Sequence, residues 1–115
     1  MSNYIEIEIE DYICLIGRNA KGNDQILRSA SQKDLWFHLD NISSPHLILK
    51  MSEKTFPSKE ILLECAIILK SYKNSISEFQ KVNVIYTLVS NIKLTKVLGQ
   101  VEFKCNTKVS KLKRI

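Results

Sequence analysis

The chain contains only two histidines, His38 and His46, eight positions apart across a Ser43-Ser44-Pro45 segment. Two imidazoles can ligate a metal, and a serine close to a histidine, as Ser44 is to His46, can form a nucleophile–base pair. Neither chemistry is complete. Zinc takes three or four protein ligands, and although Asp34 and Asp40 are near in sequence, no spacing matches a metal motif. The serine lies in no elbow motif and has no identifiable acid to orient the imidazole. We therefore assign no catalytic residue, no metal and no cofactor, and expect a protein that is not an enzyme. On this reading the histidines hydrogen-bond loop backbone or contact a ligand phosphate.

Two further groups bear on binding. Gly17-Arg18-Asn19-Ala20-Lys21-Gly22-Asn23-Asp24 combines two cations, Arg18 and Lys21, with the amides Asn19 and Asn23. Such a segment can grip a phosphate or a base edge, since a guanidinium binds phosphate bidentately. It has neither the GxxxxGK[ST] of a nucleotide loop nor the GxGxxG of a dinucleotide site, and taken alone a turn of this composition is more often structural. Asp34-Leu35-Trp36-Phe37-His38 is a compact aromatic strand. Trp36 and His38 share one face of it, Leu35 and Phe37 the other. One face fills a core; the other is free to stack a base, worth roughly 1–3 kcal/mol. Trp36 is the single tryptophan, and a residue of this kind is more often core than platform.

The elements that would position these groups are legible from periodicity. Tyr4 to Glu10 alternates strictly, with Ile5, Ile7 and Ile9 toward a core and Glu6, Glu8 and Glu10 toward water. Tyr12 to Ile16 reads as its hairpin partner across a tight turn near Asp11. Asn23 or Asp24 then caps a short helix, Gln25–Ala30. Strands follow over Asp34–Leu39 and His46–Met51. Ser58 caps the clearest helix, Lys59–Ser71, whose stripe of Ile61, Leu62, Cys65, Ala66, Ile68 and Leu69 is widened by Leu63 and Ile67, so that it should be largely buried. Val82–Thr87 is a further strand, and Gly99–Lys104 with Lys108–Leu112 suggest a closing hairpin of basic strands. The sum is a single α+β domain over residues 1–115. Its mostly antiparallel sheet of about six strands packs on one main helix (59–71), with a short helix near 24–30.

Composition bounds the function. A chain of 115 residues, 44% hydrophobic and 25% charged, holds one ordinary core. No apolar run approaches the roughly 20 residues that span a bilayer, so no membrane association is expected. The acidic, alternating start lacks the marks of a secretory signal. Cys14, Cys65 and Cys105 are widely spaced and odd in number, with apolar residues in their neighbourhoods. From their spacing and odd number they read as buried free thiols in a reducing compartment, cytoplasmic with the nucleus as alternative. The net charge of +5 is concentrated: residues 91–115 carry seven Lys/Arg against one acid, Glu102. Such a patch suits a polyanion, although a solvated strand face has the same composition.

Taken in order, Gly17-Arg18-Asn19…Asn23-Asp24, Asp34-Leu35-Trp36-Phe37-His38, Ser44-Pro45-His46, Tyr86-Thr87, Lys93 and Gly99-Gln100-Val101 resemble the motif set of NFACT-R domains over nearly the whole chain. EILLECAIILKS, VNVIYTLVSNIKLTK and GQVEF resemble most specifically its stand-alone eukaryotic branch, without that branch's charged coiled-coil tail. The resemblance implies an RNA-binding module linked to translation or ribosome-associated quality control. RNA, tRNA or rRNA above all, would be its partner, with the ribosome or ribosomal proteins also in reach and DNA an alternative ligand. By position it implies a site built from Arg18, Asn19, Asn23, Asp34, Trp36, His38, Ser44, His46, Tyr86, Thr87 and Lys93. In that site Arg18, Lys21, Lys93 and Lys96 would neutralise phosphates, Asn19 and Asn23 would read edges, and Trp36 or Tyr86 would stack. The competing reading is a protein-interaction module whose basic strands dock an acidic partner. In this chain Ser-Pro-His stands where relatives often place a small residue before the histidine, and Pro45 removes a backbone donor there.

Overall fold

The central strands of this chain carry apolar side chains at successive positions, as in Tyr12–Gly17 (YICLIG) and Leu35–Leu39 (LWFHL). A strand of that kind needs cover on both faces. A computed structural model, which describes residues 2–52 and 54–115, shows how the cover is provided. Six strands form one antiparallel sheet in the order β1-β2-β4-β3-β5-β8: β1 (Tyr4–Ile9), β2 (Tyr12–Gly17), β3 (Leu35–Leu39), β4 (Leu47–Lys50), β5 (Val84–Leu88) and β8 (Ser110–Leu112). Helix α2 (Lys59–Ser71) covers one face. Helix α1 (Ala20–Arg28) and a two-stranded ribbon of β6 (Ile92–Leu94) and β7 (Val101–Phe103) cover the other. The expected α+β class with a mostly antiparallel sheet is what forms.

The pleat sorts the core. From β2, β3 and β4, Cys14, Ile16, Leu35, Phe37, Leu39, Leu47 and Leu49 pack with Ile61, Leu62, Cys65, Ala66 and Leu69 of α2. Their alternate neighbours Leu15, Trp36 and Ile48 pack with Ile26 and Leu27 of α1 and with Val89 and Ile92. The edge strand β1 has one covered face, and its burial alternates as its sequence does. Helix α2 spans the expected residues, and Ser58 Oγ caps it by accepting from Ile61 N–H. It is less buried than its stripe suggested: Ile67 is 58% exposed, because the sheet contacts only one side of the helix.

Three expectations are corrected. The first helix begins at Ala20, not Gln25, and its cap is Asn19, whose Oδ1 accepts from Gly22 N–H at 2.8 Å. The 17–24 segment, whose composition is that of a turn, is therefore mostly helix. Its glycines serve close approach rather than turning. A Cβ on Gly22 would meet Asn3 O at 1.8 Å, and one on Gly17 would meet Asn23 Oδ1 at 2.0 Å. Second, residues 99–112 do not form a hairpin. β7 pairs with β6, and β8 crosses back to pair with β5 at the sheet edge. Buried Asn91 enforces this split: its Nδ2 donates to Cys105 O and Thr87 Oγ1, and its Oδ1 accepts from Cys105 N–H. Among the described residues the sheet keeps the expected six strands, and β6 and β7 add a separate two-stranded ribbon. Third, Cys14 and Cys65 are buried, with burial pushing the Cys14 thiol up to about 11 and the Cys65 thiol higher still, but Cys105 is half-exposed.

Candidate functional site

The ribbon and α1 cover only part of their face of the sheet. Beyond them the sheet lies open as a cleft of about 1000 Å³, walled by the β2–α1 junction, the end of β3, the 40–46 loop, the end of α2 and the ribbon tip. His46 forms its floor. The residue is 4% exposed, and its Nδ1 accepts a hydrogen bond from Trp36 Nε1–H at 3.1 Å. Because the indole nitrogen can only donate, the His46 proton must be on Nε2. Its backbone is held on both sides, with Asn23 Oδ1 accepting from His46 N–H at 3.0 Å and His46 O accepting from Gly17 N–H at 3.0 Å. The close approach of Asn23 to Gly17 is what makes this clamp possible.

His38, one pleat along from Trp36, is half-buried and stacks parallel to the indole at 5.5 Å. Its Nδ1 lies 2.6 Å from Leu39 O, which can only accept, so Nδ1 carries the proton and Nε2 keeps a lone pair. The two imidazoles meet edge to face at 5.2 Å. Burial lowers both: His46 to about 3, assisted by His38 beside it, and His38 by burial and Lys73, against opposing pulls from Leu39 O and Asp40. Both are therefore neutral at physiological pH. The pair is poorly arranged for a shared metal. Metal on both Nε2 atoms would force the His46 proton to Nδ1, where it would face the indole N–H. Among the described residues no three His, Cys, Asp or Glu side chains cluster as metal ligands. Ser44 Oγ is engaged elsewhere, accepting from Leu39 N–H at 3.1 Å and donating to Pro45 O at 2.9 Å, which fixes the loop ahead of His46.

The rim is cationic. Arg18 is exposed at the end of β2 and has no ion-pair partner among the described residues, and Lys73 contributes a second charge from just past α2. The carboxylate of Asp40 is offset by Lys111 at 2.9 Å. Polar side chains of Asn41, Ser43, Asn74 and Gln100 and the apolar tip residues Val97 and Leu98 complete the wall.

The residues singled out in the sequence thus divide. Arg18, Asn19, Asn23, Trp36, His38, Ser44 and His46 come together at this cleft. Within it Asn19 serves as a helix cap and Asn23 as a backbone clamp. Trp36 is 2% exposed, so its faces are closed to a base and its task is to hold His46. Asp34 is buried, its carboxylate accepting from Ser31 N–H and Met51 N–H at 2.9 and 2.8 Å. Tyr86 stacks on Phe37 at 5.4 Å on the α2 face of the sheet, away from the cleft. Thr87 is buried, donating to Lys108 O. Lys21 is exposed on α1 outside the lining. Lys93 and Lys96 lie on the ribbon, beside a separate shallow groove of about 740 Å³. Sequence reasoning missed Tyr72 and Lys73, which reach the cleft only because α2 ends beside it.

Comparison with known proteins bears on this arrangement. Residues 1–104 match the family of the NFACT protein RNA binding domain. Coiled-coil domain-containing protein 25 of Mus musculus is 32% identical over 98 residues, covering 80% of this chain and 47% of that protein. Its homolog in Dictyostelium discoideum is 28% identical over 120 residues, covering 97% of this chain and 57% of that protein. The Rqc2 homolog RqcH of Bacillus subtilis is 29% identical over 80 residues, 69% of this chain and 13% of that protein. The chain therefore spans about half the length of the first of these relatives. In three dimensions the C-terminal part of the fibronectin/fibrinogen-binding protein of Streptococcus suis superposes with a TM-score of 0.79 at 20% identity, over 99% of this chain and 45% of that one, which establishes a shared fold.

Proposed function

This chain belongs to the NFACT RNA-binding domain family, and from that premise we propose that it binds RNA through the cleft between β2, β3 and the end of α2. The observation that carries the reading is convergence. Arg18, His38 and His46 come from three separate stretches of sequence and meet at one open, positively rimmed surface. Arg18 and Lys73 supply phosphate contacts, whose favourable term is counterion release. The neutral histidines supply hydrogen-bonding edges that phosphate neutralisation does not use. The partner is tRNA, rRNA or another RNA with unpaired segments, and the RqcH likeness favours a setting in ribosome-associated quality control. Lys93 and Lys96 extend the positive field along the ribbon.

The test is titration of labelled tRNA, random single-stranded RNA and the corresponding DNA at several salt concentrations, for the wild type and for Arg18→Ala. Binding should weaken as salt rises, and Arg18→Ala should flatten that dependence. Absence of RNA binding at low salt would overturn the proposal. Capture of a ribosomal protein that survives nuclease treatment would favour the protein-interaction alternative.

A further inference from the structure

The floor of the cleft differs chemically from its rim. His46 Nδ1 is taken by Trp36 and His38 Nδ1 by Leu39 O. Neither Nε2 has a hydrogen-bond partner among the described residues, yet neither is a buried unpaired atom, so both reach the cleft that the two rings line. The tautomers assigned above make one of these atoms, His46 Nε2–H, a donor and the other, His38 Nε2, an acceptor. A phosphate offers only acceptors, and its oxygen would face the lone pair of His38. A lone pair beside a donor suits a partner that itself alternates donor and acceptor, as the edge of every nucleobase does. The neutrality of both rings supports this, since no cation stands at the floor to favour an anion. The charges of Arg18 and Lys73 belong to the same lining, within reach of the flanking phosphates of an inserted nucleotide. Beside Lys73, Tyr72 lines the cleft and is 39% exposed, so that unlike Trp36 it is available for stacking.

We propose that this cleft takes a single unpaired nucleobase, its edge read by the Nε2 atoms of His38 and His46 and its face covered by Tyr72, while Arg18 and Lys73 hold the neighbouring phosphates. The proposal rests on the RNA-binding reading and adds what the site recognises. A base within a duplex has its edge already paired, so the site selects loops, bulges, ends and single strands. It reads donor–acceptor alternation rather than one base identity.

The wild-type protein tests it with three probes of equal length: a single-stranded RNA, its abasic ribose-phosphate chain and a blunt duplex of the same sequence. Affinity is measured at several salt concentrations, with the fluorescence of Trp36, the only tryptophan, as a local signal beneath His38. The single strand should bind about tenfold or more tightly than the abasic chain, the scale of one stacked and hydrogen-bonded base. It should do so with the same salt slope, and it alone should change the Trp36 signal. His38→Phe, which keeps a ring over Trp36 but removes the acceptor, and Tyr72→Ala, a surface change that leaves the fold intact, should each shrink the single-strand advantage. Equal binding of base-bearing and abasic chains would overturn the base site and leave the RNA-binding function standing. A single-strand advantage that persists undiminished in both variants, each shown folded by circular dichroism, would also overturn it. Failure of all three probes to bind at low salt would overturn the RNA-binding reading and the base site with it.

Discussion

The two faces of the central sheet are made by alternate residues of the same strands, yet they do different work. On the α2 face, Leu35, Phe37 and Leu39 of β3 are sealed under a helix whose Ile61, Leu62, Cys65, Ala66 and Leu69 leave no opening. On the α1 face, Trp36 is sealed but His38, one pleat further on, is not. A nine-residue helix and a short ribbon are too small to cover the sheet, and what they leave is the cleft. The difference teaches that this fold seals one side and leaves the other, where we propose recognition, partly open, the two separated by the two-residue period of a single strand.

Substitutions should therefore part company by face. The largest effect is expected from Phe37→Ala, fully buried on the α2 side, which should cost about 3–5 kcal/mol of unfolding free energy in chemical denaturation. Any protein that remains folded should retain its affinity for RNA. A loss of affinity in the folded fraction would break the separation.

Acid should act mainly on the other face. His46 in the folded protein lies near 3, and His38 is also held below the ordinary 6.5. As pH falls the unfolded chain binds protons first, so the contribution of these neutral rings is fully present above pH 6.5 and declines as pH drops toward 3. The decline should approach roughly 1.4 kcal/mol per pH unit for His46 through the middle of that window, where the unfolded ring is charged and the folded ring is not. Thermal unfolding of wild type and His46→Gln across roughly pH 4.5 to 7.5 measures it, covering about two pH units of the window. The variant should be less stable at neutral pH and show a flatter pH dependence. The same slope in both would mean that the carboxylates alone set it.

Trp36→Phe lies at the seam between the two roles. It keeps most of the packing but removes the N–H that fixes the His46 tautomer. We expect a loss of about 1–3 kcal/mol in stability together with weaker RNA binding, since the ring is free to present either nitrogen. Stability lost without affinity would reduce the indole to a packing residue. At the rim the stability effects vanish and only binding responds. Arg18→Ala should stay within about 0.5 kcal/mol of wild type. It should lower the salt slope for single-stranded RNA by about 0.7, the share of one phosphate. Lys93→Ala, out on the ribbon, should change both quantities least. A larger drop for Lys93 than for Arg18 would move the RNA track from the cleft to the ribbon.

Local patterns account for a good part of this. Strict alternation announced β1, as a broad apolar stripe with Ser58 ahead of it announced α2, because both signals are carried within a few residues of chain. Glycine and asparagine misled at 17–24, where turn-forming composition hides a helix start. Gly22 is there for the passing backbone of Asn3, and Asn19 for its cap, and neither purpose is visible without the neighbour. The tail misled for the same reason. Val101–Phe103 and Ser110–Leu112 have equal claim to each other in sequence, and it is the buried side chain of Asn91 that sends one to the ribbon and the other to the sheet edge.

The sequence by itself determined the class of fold, the main helix, the edge hairpin, and, through its resemblance to a family, the grouping of Arg18, Asn23, His38 and His46 as candidates for one site. Only the tertiary structure decided which of them face the cleft, which merely hold the others, and that Tyr72 and Lys73 join them from more than fifty residues beyond Arg18. The physical reason is that periodicity specifies which residues share a face of a strand or helix. What covers that face, and where the cover runs out, depends on packing between elements far apart along the chain.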